Sequence, residues 1–201
     1  RPPRSTLFPY TTLFRSLYLG YNDIGQKGEK YIANILNKSK TKLETLSLCS
    51  TNMDDGCELA NALCTNETLT ALNLHSNSIS DNGIIAFSKV LKVNTTLVFL
   101  DLDSNQIHDY SMTKLAGNLL LNNSTKLKFL SLADNYIGED GGVILGKMIS
   151  KNKTLTYLNV SRNQLGNSGV AAILLGMETN STISSLELSS NDCDDVVGIG
   201  V

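Results

Sequence analysis

The chain has 201 residues, nearly balanced numbers of basic and acidic residues, and a formal net charge of −2 at pH 7. This balance leaves no basic surface of the kind that binds nucleic acid, and no apolar run is long enough to span a bilayer. We therefore expect neither a nucleic-acid partner nor a membrane partner.

The first 16 residues do not share the pattern of the rest of the chain. Residues 6–16 read Thr-Leu-Phe-Pro-Tyr-Thr-Thr-Leu-Phe-Arg-Ser, which resembles the translation of a widely used sequencing adapter. We interpret residues 1–16 as an artefact outside the fold; the alternative is a natural tail containing arginine and proline. Residues 17–201 are then predicted to form a single domain, truncated at both ends.

A short apolar phrase recurs along residues 17–201 and predicts a repeated strand. It begins with Leu17-Tyr-Leu19 and returns six times. An apolar residue precedes each of these six phrases by three positions: Leu43, Leu69, Leu97, Leu127, Leu155 and Ile183. The period is about 28 residues. Because alternate residues of a strand point to the same face, the repeated leucines predict one buried face of a sheet.

An asparagine follows the second strand leucine by three positions in six of the seven units: Asn22, Asn77, Asn105, Asn135, Asn163 and Asn191. A side-chain amide satisfies backbone groups where the chain turns out of a strand, so this column predicts a structural asparagine ladder. Thr51 alone interrupts it. The coil from Thr51 to Gly56 is therefore predicted to be the least regular.

Each unit continues with a predicted turn and then a predicted helix of about three turns. The turn is predicted at recurring glycines: Gly28, Gly56, Gly83, Gly141 and Gly169. The helix is predicted from apolar residues spaced by four: Ile32 and Leu36, Leu59 and Leu63, Phe87 and Leu91, Leu115 and Leu119, Leu145 and Ile149, Ile173 and Met177. Such pairs cover the apolar face of the strands from the other side.

Two phrases show a family resemblance: Leu97-Val-Phe-Leu-Asp-Leu-Asp-Ser-Asn-Gln-Ile and Asn180-Ser-Thr-Ile-Ser-Ser-Leu-Glu-Leu-Ser-Ser-Asn. They resemble leucine-rich repeats of the ribonuclease-inhibitor type, which occur in NOD-like receptors, Ran GTPase-activating proteins and the tropomodulin family. The resemblance implies an α/β solenoid of about seven strand units, the last truncated, with a concave parallel sheet and convex helices. Because this scaffold hosts inhibitors, sensors, GTPase activators and filament caps, it does not decide the function.

The chemistry-bearing residues give no catalytic or cofactor motif. Gly141 to Lys147 approaches a phosphate-binding loop, but Met148 stands where a serine or threonine must reach magnesium. With two histidines and no Cys-x-x-Cys pair, we expect no metal site. The four cysteines are expected to be reduced and mainly to serve packing. We predict no enzyme activity, no cofactor and no small-molecule substrate.

Eight Asn-x-Ser/Thr sequons allow two interpretations: Asn37, Asn66, Asn94, Asn122, Asn123, Asn152, Asn159 and Asn180. Taken as glycosylation sites, they indicate a secreted recognition domain. However, seven of the eight lie in the loop from a helix to the next strand, and cytosolic members of the resembled family carry the same Asn-x-Thr-Leu phrase. We therefore predict a cytoplasmic protein whose sequons belong to the repeat.

The predicted binding surface lies on the concave face. Phe99, Phe129 and Tyr157 occupy one column on adjacent strands, about 4.8 Å apart. The candidate partner-binding residues are these three with nearby polar residues: Asp101, Asp103, Asp134, Asn159 and Arg162. An aromatic row beside charge is typical of an interface anchor. The alternative is that the rings only stabilise the sheet by stacking across strands.

These observations predict a noncatalytic protein–protein interaction module, a scaffold or sensor segment of a larger intracellular protein. The partner is expected to be another protein. An alternative is a regulator of a small GTPase, similar to the Ran GTPase activators and acting from the strand-to-helix rim. No residue of this chain matches a GTPase-activating site.

Overall fold

The computed structural model describes residues 14–38, 42–122 and 124–193. Within these ranges, seven three-residue strands alternate with six helices: β1 (Ser16–Tyr18), α1 (Gly25–Leu36), β2 (Thr45–Ser47), α2 (Cys57–Leu63), β3 (Ala71–Asn73), α3 (Asp81–Val93), β4 (Phe99–Asp101), α4 (Asp109–Leu121), β5 (Phe129–Ser131), α5 (Glu139–Ile149), β6 (Tyr157–Asn159), α6 (Gly166–Met177) and β7 (Ser185–Glu187). The strands form one parallel sheet in chain order. The predicted α/β solenoid is confirmed.

The strand leucines form the core because the strands pair in register. The central residues of the seven strands make one column: Leu17, Leu46, Leu72, Leu100, Leu130, Leu158 and Leu186. The five inner members are fully buried beneath the apolar faces of the helices. Burial of one such side chain contributes about 1.5–3 kcal/mol. No helix in the described ranges has the length and apolarity needed to cross a membrane.

Asparagines at the strand exits bridge neighbouring units. The Nδ2 of Asn77 donates to the carbonyls of Leu48, at 2.8 Å, and Leu74, at 3.0 Å. Its Oδ1 accepts from the N–H groups of Thr51, at 3.1 Å, and Met53, at 3.0 Å. The same two-sided bonding recurs at four later positions: Asn105, Asn135, Asn163 and Asn191. We call these residues the strand-exit asparagines.

The unit that carries Thr51 in place of asparagine departs most from the common pattern. Thr51 is fully buried, and its hydroxyl lies 2.8 Å from the carbonyl of Leu48 and 3.2 Å from the Oδ1 of Asn77. Two residues of the following coil, Asn52 and Gly56, have positive φ. Helix α2 is the shortest of the six, with seven residues. This agrees with the irregularity predicted for residues 51–56.

The prediction of a turn at each recurring glycine was wrong at four of five positions. Gly56 precedes α2 with φ 65°, but the other four lie inside the first turn or so of their helices: Gly28, Gly83, Gly141 and Gly169. The physical reason is close packing. A Cβ on Gly83 would lie 2.4 Å from the carbonyl oxygen of Asp55, in the preceding unit. The missing side chain lets one helix start lie against the unit before it.

Strand β1 begins one residue before the predicted start of the repeat domain. The carbonyl of Arg15 accepts from the N–H groups of Glu44, at 2.7 Å, and Thr45, at 2.9 Å. Phe14 stands at the leading apolar position but is 62% exposed, whereas Leu43 at the same position is 3% exposed. Backbone pairing at a sheet edge does not depend on the side chains. Residues 1–13 of the segment interpreted as an artefact lie outside the described residues.

A second asparagine column follows the helices and was not predicted as a ladder. The Nδ2 of Asn94 donates to the carbonyls of Leu63 and Asn66, and its Oδ1 accepts from the N–H groups of Thr96 and Leu97. We call the members the helix-exit asparagines: Asn66, Asn94, Asn122, Asn152 and Asn180. The first four are at most 8% exposed. Five of the eight sequons are therefore part of the hydrogen-bonded framework; the sequon at Asn123 lies outside the described residues.

Candidate interaction surface on the concave face

Three aromatic residues form a continuous stack across the concave face. Phe99, Phe129 and Tyr157 are the first residues of β4, β5 and β6 and are paired in register. Adjacent ring centroids are 4.2 Å apart in both pairs, with interplanar angles of 14° and 4°. Each residue is half-buried. We call these three residues the aromatic stack.

The geometry of the stack bears on both interpretations of these residues, as an interface anchor and as rings that stabilise the sheet. Phe129 has a ring against both of its faces, whereas Phe99 and Tyr157 each pack against one ring of the stack. Stacked pairs contribute about 0.5–1.5 kcal/mol each beyond the area they bury. The rings therefore stabilise the sheet, and their half-burial leaves part of each side chain accessible to a partner. The interface role of these residues stays a prediction.

The last residues of three strands cap the backbone that follows them. Each accepts a hydrogen bond from the N–H group two residues later: Asn73 from His75 at 2.9 Å, Asp101 from Asp103 at 3.0 Å, and Asn159 from Ser161 at 3.0 Å. The equivalent residue of β5 is Ser131, and here the N–H of Ala133 donates instead to the Oδ1 of Asp103, at 2.7 Å. Asp101, Asp103 and Asn159, predicted to bind a partner, thus each have one oxygen engaged by the backbone.

The aromatic stack and the two aspartates share one electrostatic environment. Burial raises the pKa of Asp101 above its ordinary value, and the nearby carboxylate of Asp103 raises it further, against the opposing effects of a backbone hydrogen bond and of His75. Burial also raises the pKa of Tyr157, and the negative charges of Glu187, Asp103 and Asp101 act in the same direction. The acids are therefore close enough to act on the ring at the end of the stack.

The remaining two predicted site residues, Asp134 and Arg162, lie where the chain turns out of the sheet. They belong to a column in which every residue has a positive φ between 52° and 61°: Tyr21, Ser50, Ser76, Ser104, Asp134, Arg162 and Ser190. Such angles are uncommon for residues other than glycine. Asp134 accepts a hydrogen bond of 2.7 Å from the hydroxyl of Ser104. Arg162 is exposed, and among the described residues its guanidinium forms no ion pair.

Five of the eight predicted site residues therefore form one patch, which we call the concave patch: Phe99, Phe129, Tyr157, Asp101 and Asp103. Asn159, Asp134 and Arg162 lie beside it, at the ends of β5 and β6. His75 lies next to Asp101 and Asp103 and is not among the eight residues predicted from the sequence. The sequence does contain a signal that places His75 beside Asp103, because the two residues occupy equivalent positions in adjacent units.

Comparison with known proteins agrees with the repeat pattern. The family model for the Leucine Rich repeat matches residues 65–88, 93–116 and 151–174. NACHT, LRR and PYD domains-containing protein 14 of Homo sapiens is 31% identical over 126 residues, which are 62% of this chain and 11% of that protein. NACHT, LRR and PYD domains-containing protein 3 of Homo sapiens is 35% identical over 78 residues, which are 38% of this chain and 8% of that protein.

Two solved structures share the fold. An internalin from Listeria monocytogenes superposes with a TM-score of 0.61 at 25% sequence identity, covering 92% of this chain and 44% of the internalin. The actin-binding site 2 of leiomodin-1 superposes with a TM-score of 0.57 at 21% identity, covering 75% of this chain and 89% of the leiomodin segment. At the latter identity the likeness shows the fold alone.

The stacked strand-and-helix units, the asparagine ladder and these likenesses define a leucine-rich repeat protein. Its repeats are similar to those of NACHT, LRR and PYD domains-containing proteins, in agreement with the resemblance seen in the sequence. The chain spans about a tenth of the length of these curated relatives, 11% and 8%. Repeats of this family are typically noncatalytic, and they support a general role for this chain as a protein-interaction module.

Proposed function

We propose that this chain is a noncatalytic module that binds another protein through the concave patch. The observation that carries the proposal is the aromatic stack itself: three half-buried rings, 4.2 Å apart, beside the carboxylates of Asp101 and Asp103. Rings held in this way have little side-chain freedom left to lose on binding, and immobilising side chains is one of the costs that weakens an interface. Aromatic residues are also enriched among the residues that dominate binding energy.

The partner that suits this patch presents a basic side chain beside an apolar one. A guanidinium group stacks on an aromatic face and pairs with carboxylates in a planar fork. The field that raises the pKa of Tyr157 is negative, so it attracts such a group. Asn159, Asp134 and Arg162 then contribute polar contacts at the edge of the interface.

We further propose that the module acts in the cytoplasm, as a scaffold or sensor segment of a larger protein. The four cysteines, all within the described residues, are free, which suits a reducing compartment. The Nδ2 atoms of Asn66, Asn94 and Asn122 donate to backbone carbonyls in buried positions. An N-linked glycan would have to be attached to that same atom.

The test compares Phe129→Ala with Tyr110→Ala. Tyr110 is a 75% exposed aromatic on α4, so its removal controls for the loss of an aromatic side chain outside the concave face. Proteins captured from cytoplasmic extract by the unaltered chain are identified, and their affinity for each purified variant is measured. We expect Phe129→Ala to weaken binding at least about tenfold and Tyr110→Ala to leave it unchanged. Equal binding by both variants, with both folded, would contradict the proposal.

Two further measurements address the alternative functions. Captured small GTPases are assayed for GTP hydrolysis with and without the chain; acceleration would favour the GTPase regulator over a noncatalytic scaffold. Protein from its native source is treated with glycosidase. An increase in gel mobility would favour the secreted recognition domain over a cytoplasmic module.

A further inference from the structure

We propose that His75, Asp101 and Asp103 form a binding site for a divalent transition-metal ion of the zinc class. The site lies at the strand exits of β3 and β4, beside the aromatic stack. It does not rest on the proposed function, because an ion would bind whether or not the face also docks a protein. It departs from the expectation, based on the cysteine and histidine counts, that the chain holds no metal.

The first argument is geometric. One ligand atom from each of the three side chains lies within 4.8 Å of the other two, and all three residues are half-buried. Tetrahedral ligands about 2 Å from zinc are separated by about 3.3 Å. Closing the remaining gap of about 1.5 Å is within the reach of ordinary side-chain rotation.

The second argument is that the backbone already orients the carboxylates. One oxygen of Asp101 accepts from the N–H of Asp103, and one oxygen of Asp103 accepts from the N–H of Ala133. This leaves the second oxygen of each group for an ion. Hydrogen bonds that fix the ligands in this way strengthen metal sites.

The third and independent argument comes from Ser131. This residue pairs in register with Asp101 and is 2% exposed. Among the described residues, its hydroxyl is the buried side-chain group that has no hydrogen-bond partner. A hydroxyl so placed normally has a partner, because leaving it unpaired costs about 1–3 kcal/mol. It lies on the same face as the Asp101 carboxylate, so a water molecule bound to the ion would supply that partner.

The donor set selects the class of ion. One imidazole nitrogen and two carboxylate oxygens suit zinc and its neighbours, whereas magnesium prefers oxygen ligands in octahedral geometry. Two carboxylates and a neutral imidazole also balance the charge of a divalent ion. Its binding would relieve the repulsion between Asp101 and Asp103 that contributes to the raised pKa of Asp101.

The experiment titrates zinc into the metal-stripped 201-residue chain in the presence of a chromophoric chelator. We expect binding of one zinc ion, weakened at least about tenfold in His75→Gln, Asp101→Asn and Asp103→Asn. Asparagine already occupies the position of Asp101 in β3 and β6, so Asp101→Asn is expected to fold. His108→Gln removes the other histidine of the chain. Cys49→Ser removes the thiol that stands two residues after β2, at the position equivalent to His75 after β3. Both should bind zinc as the unaltered chain does.

A second readout locates the ion without relying on the variants. The chain has two histidines, so His108→Gln assigns their ring C–H resonances in the proton NMR spectrum. Zinc should shift the resonances of His75 and leave those of His108 in place, and magnesium should shift neither. Unchanged His75 resonances at saturating zinc, or undiminished affinity in folded His75→Gln, would overturn the proposal.

Discussion

Two junctions between neighbouring helices show that units with the same repeat pattern are held together by different interactions. Between α1 and α2, Glu29 is 3% exposed and accepts a hydrogen bond of 3.0 Å from the N–H of Leu59 at the start of α2. Between α5 and α6, the backbones themselves meet. A Cβ on Gly146 would lie 2.2 Å from the carbonyl oxygen of Ala172.

The difference follows from where glycine stands at each junction. Helix α2 is preceded by Gly56, which has no side chain to cap the first N–H groups, so a carboxylate from the preceding helix does so. Helices α5 and α6 carry glycines on their facing sides, and a Cβ on Gly142 would lie 2.5 Å from the Cα of Gly169. The first junction therefore depends on satisfying a polar group, and the second depends on the absence of side-chain volume.

The largest effect is expected at the glycine junction. Gly146→Ala should lower the free energy of unfolding by about 3 kcal/mol, because the new methyl group meets backbone that is unable to rotate away. The matched control is Gly117→Ala in α4, where a Cβ would meet nothing within 4 Å. That substitution should stabilise by about 0.5–1 kcal/mol through helix propensity. Urea unfolding of both variants measures the difference; similar values for the two would refute the steric account.

An intermediate effect is expected at the polar junction. Glu29→Ala should cost about 1–2 kcal/mol, because it leaves the N–H of Leu59 without its acceptor. Glu29→Gln keeps an acceptor oxygen and should cost less. Hydrogen exchange at the Leu59 amide should accelerate in the alanine variant, and unfolding in urea gives the energy. If both variants unfolded like the unaltered chain, the carboxylate would not be holding the start of α2.

The smallest effect, of opposite sign, is expected at Asp101, in the centre of the sheet away from both junctions. Its pKa in the folded chain is raised, so folding favours the protonated form. That contribution is present below the unfolded pKa and is lost as the pH rises through the folded value. With metal chelated, Asp101→Asn should therefore raise the Tm by about 1–2 °C at pH 7. The gain should vanish near pH ~3; a pH-independent difference would contradict the assignment to charge.

The periodic residues made most of the fold predictable from the sequence. The leucine columns, the seven strands and the helices all follow from spacing, because each unit buries its apolar face only against its neighbours. The glycines were misread because sequence does not distinguish a residue chosen for its φ from one chosen for its lack of volume. Gly56 is of the first kind and Gly83 of the second.

The candidate site was less predictable, because its details depend on competition between neighbouring units. Register predicted the column of Phe99, Phe129 and Tyr157, but the half-burial of the rings depends on their mutual stacking. The free hydroxyl of Ser131 depends on Asp103 bonding to Ala133 from the preceding unit. Such an exchange of partners has no signature in the sequence of either unit.

The helix-exit asparagines were predicted from the sequence to belong to the repeat, but their hydrogen bonds were not predicted. The phrase at Asn94 recurs at the same place in other units and was correctly assigned to the repeat. The structure shows its physical cause, which is a side-chain amide that donates to the backbone carbonyls of Leu63 and Asn66 in the preceding unit. A sequon that recurs with the period of a solenoid therefore indicates an amide that bonds to the backbone.

Both sets of asparagines give the array a direction. Asn77 and Asn94 each bond backward, to carbonyls of the preceding unit, and Asn105 does the same. The unit that precedes each of these asparagines thus relies on its C-terminal neighbour to complete its own loops. If a unit is deleted from the C-terminal end, a loop of the preceding unit loses the hydrogen bonds that it accepted from the deleted asparagines. If a unit is deleted from the N-terminal end, the asparagine amides of the next unit lose those acceptors and bond to water instead. Unfolding should accordingly spread more readily from the C-terminal end of the solenoid than from the N-terminal end.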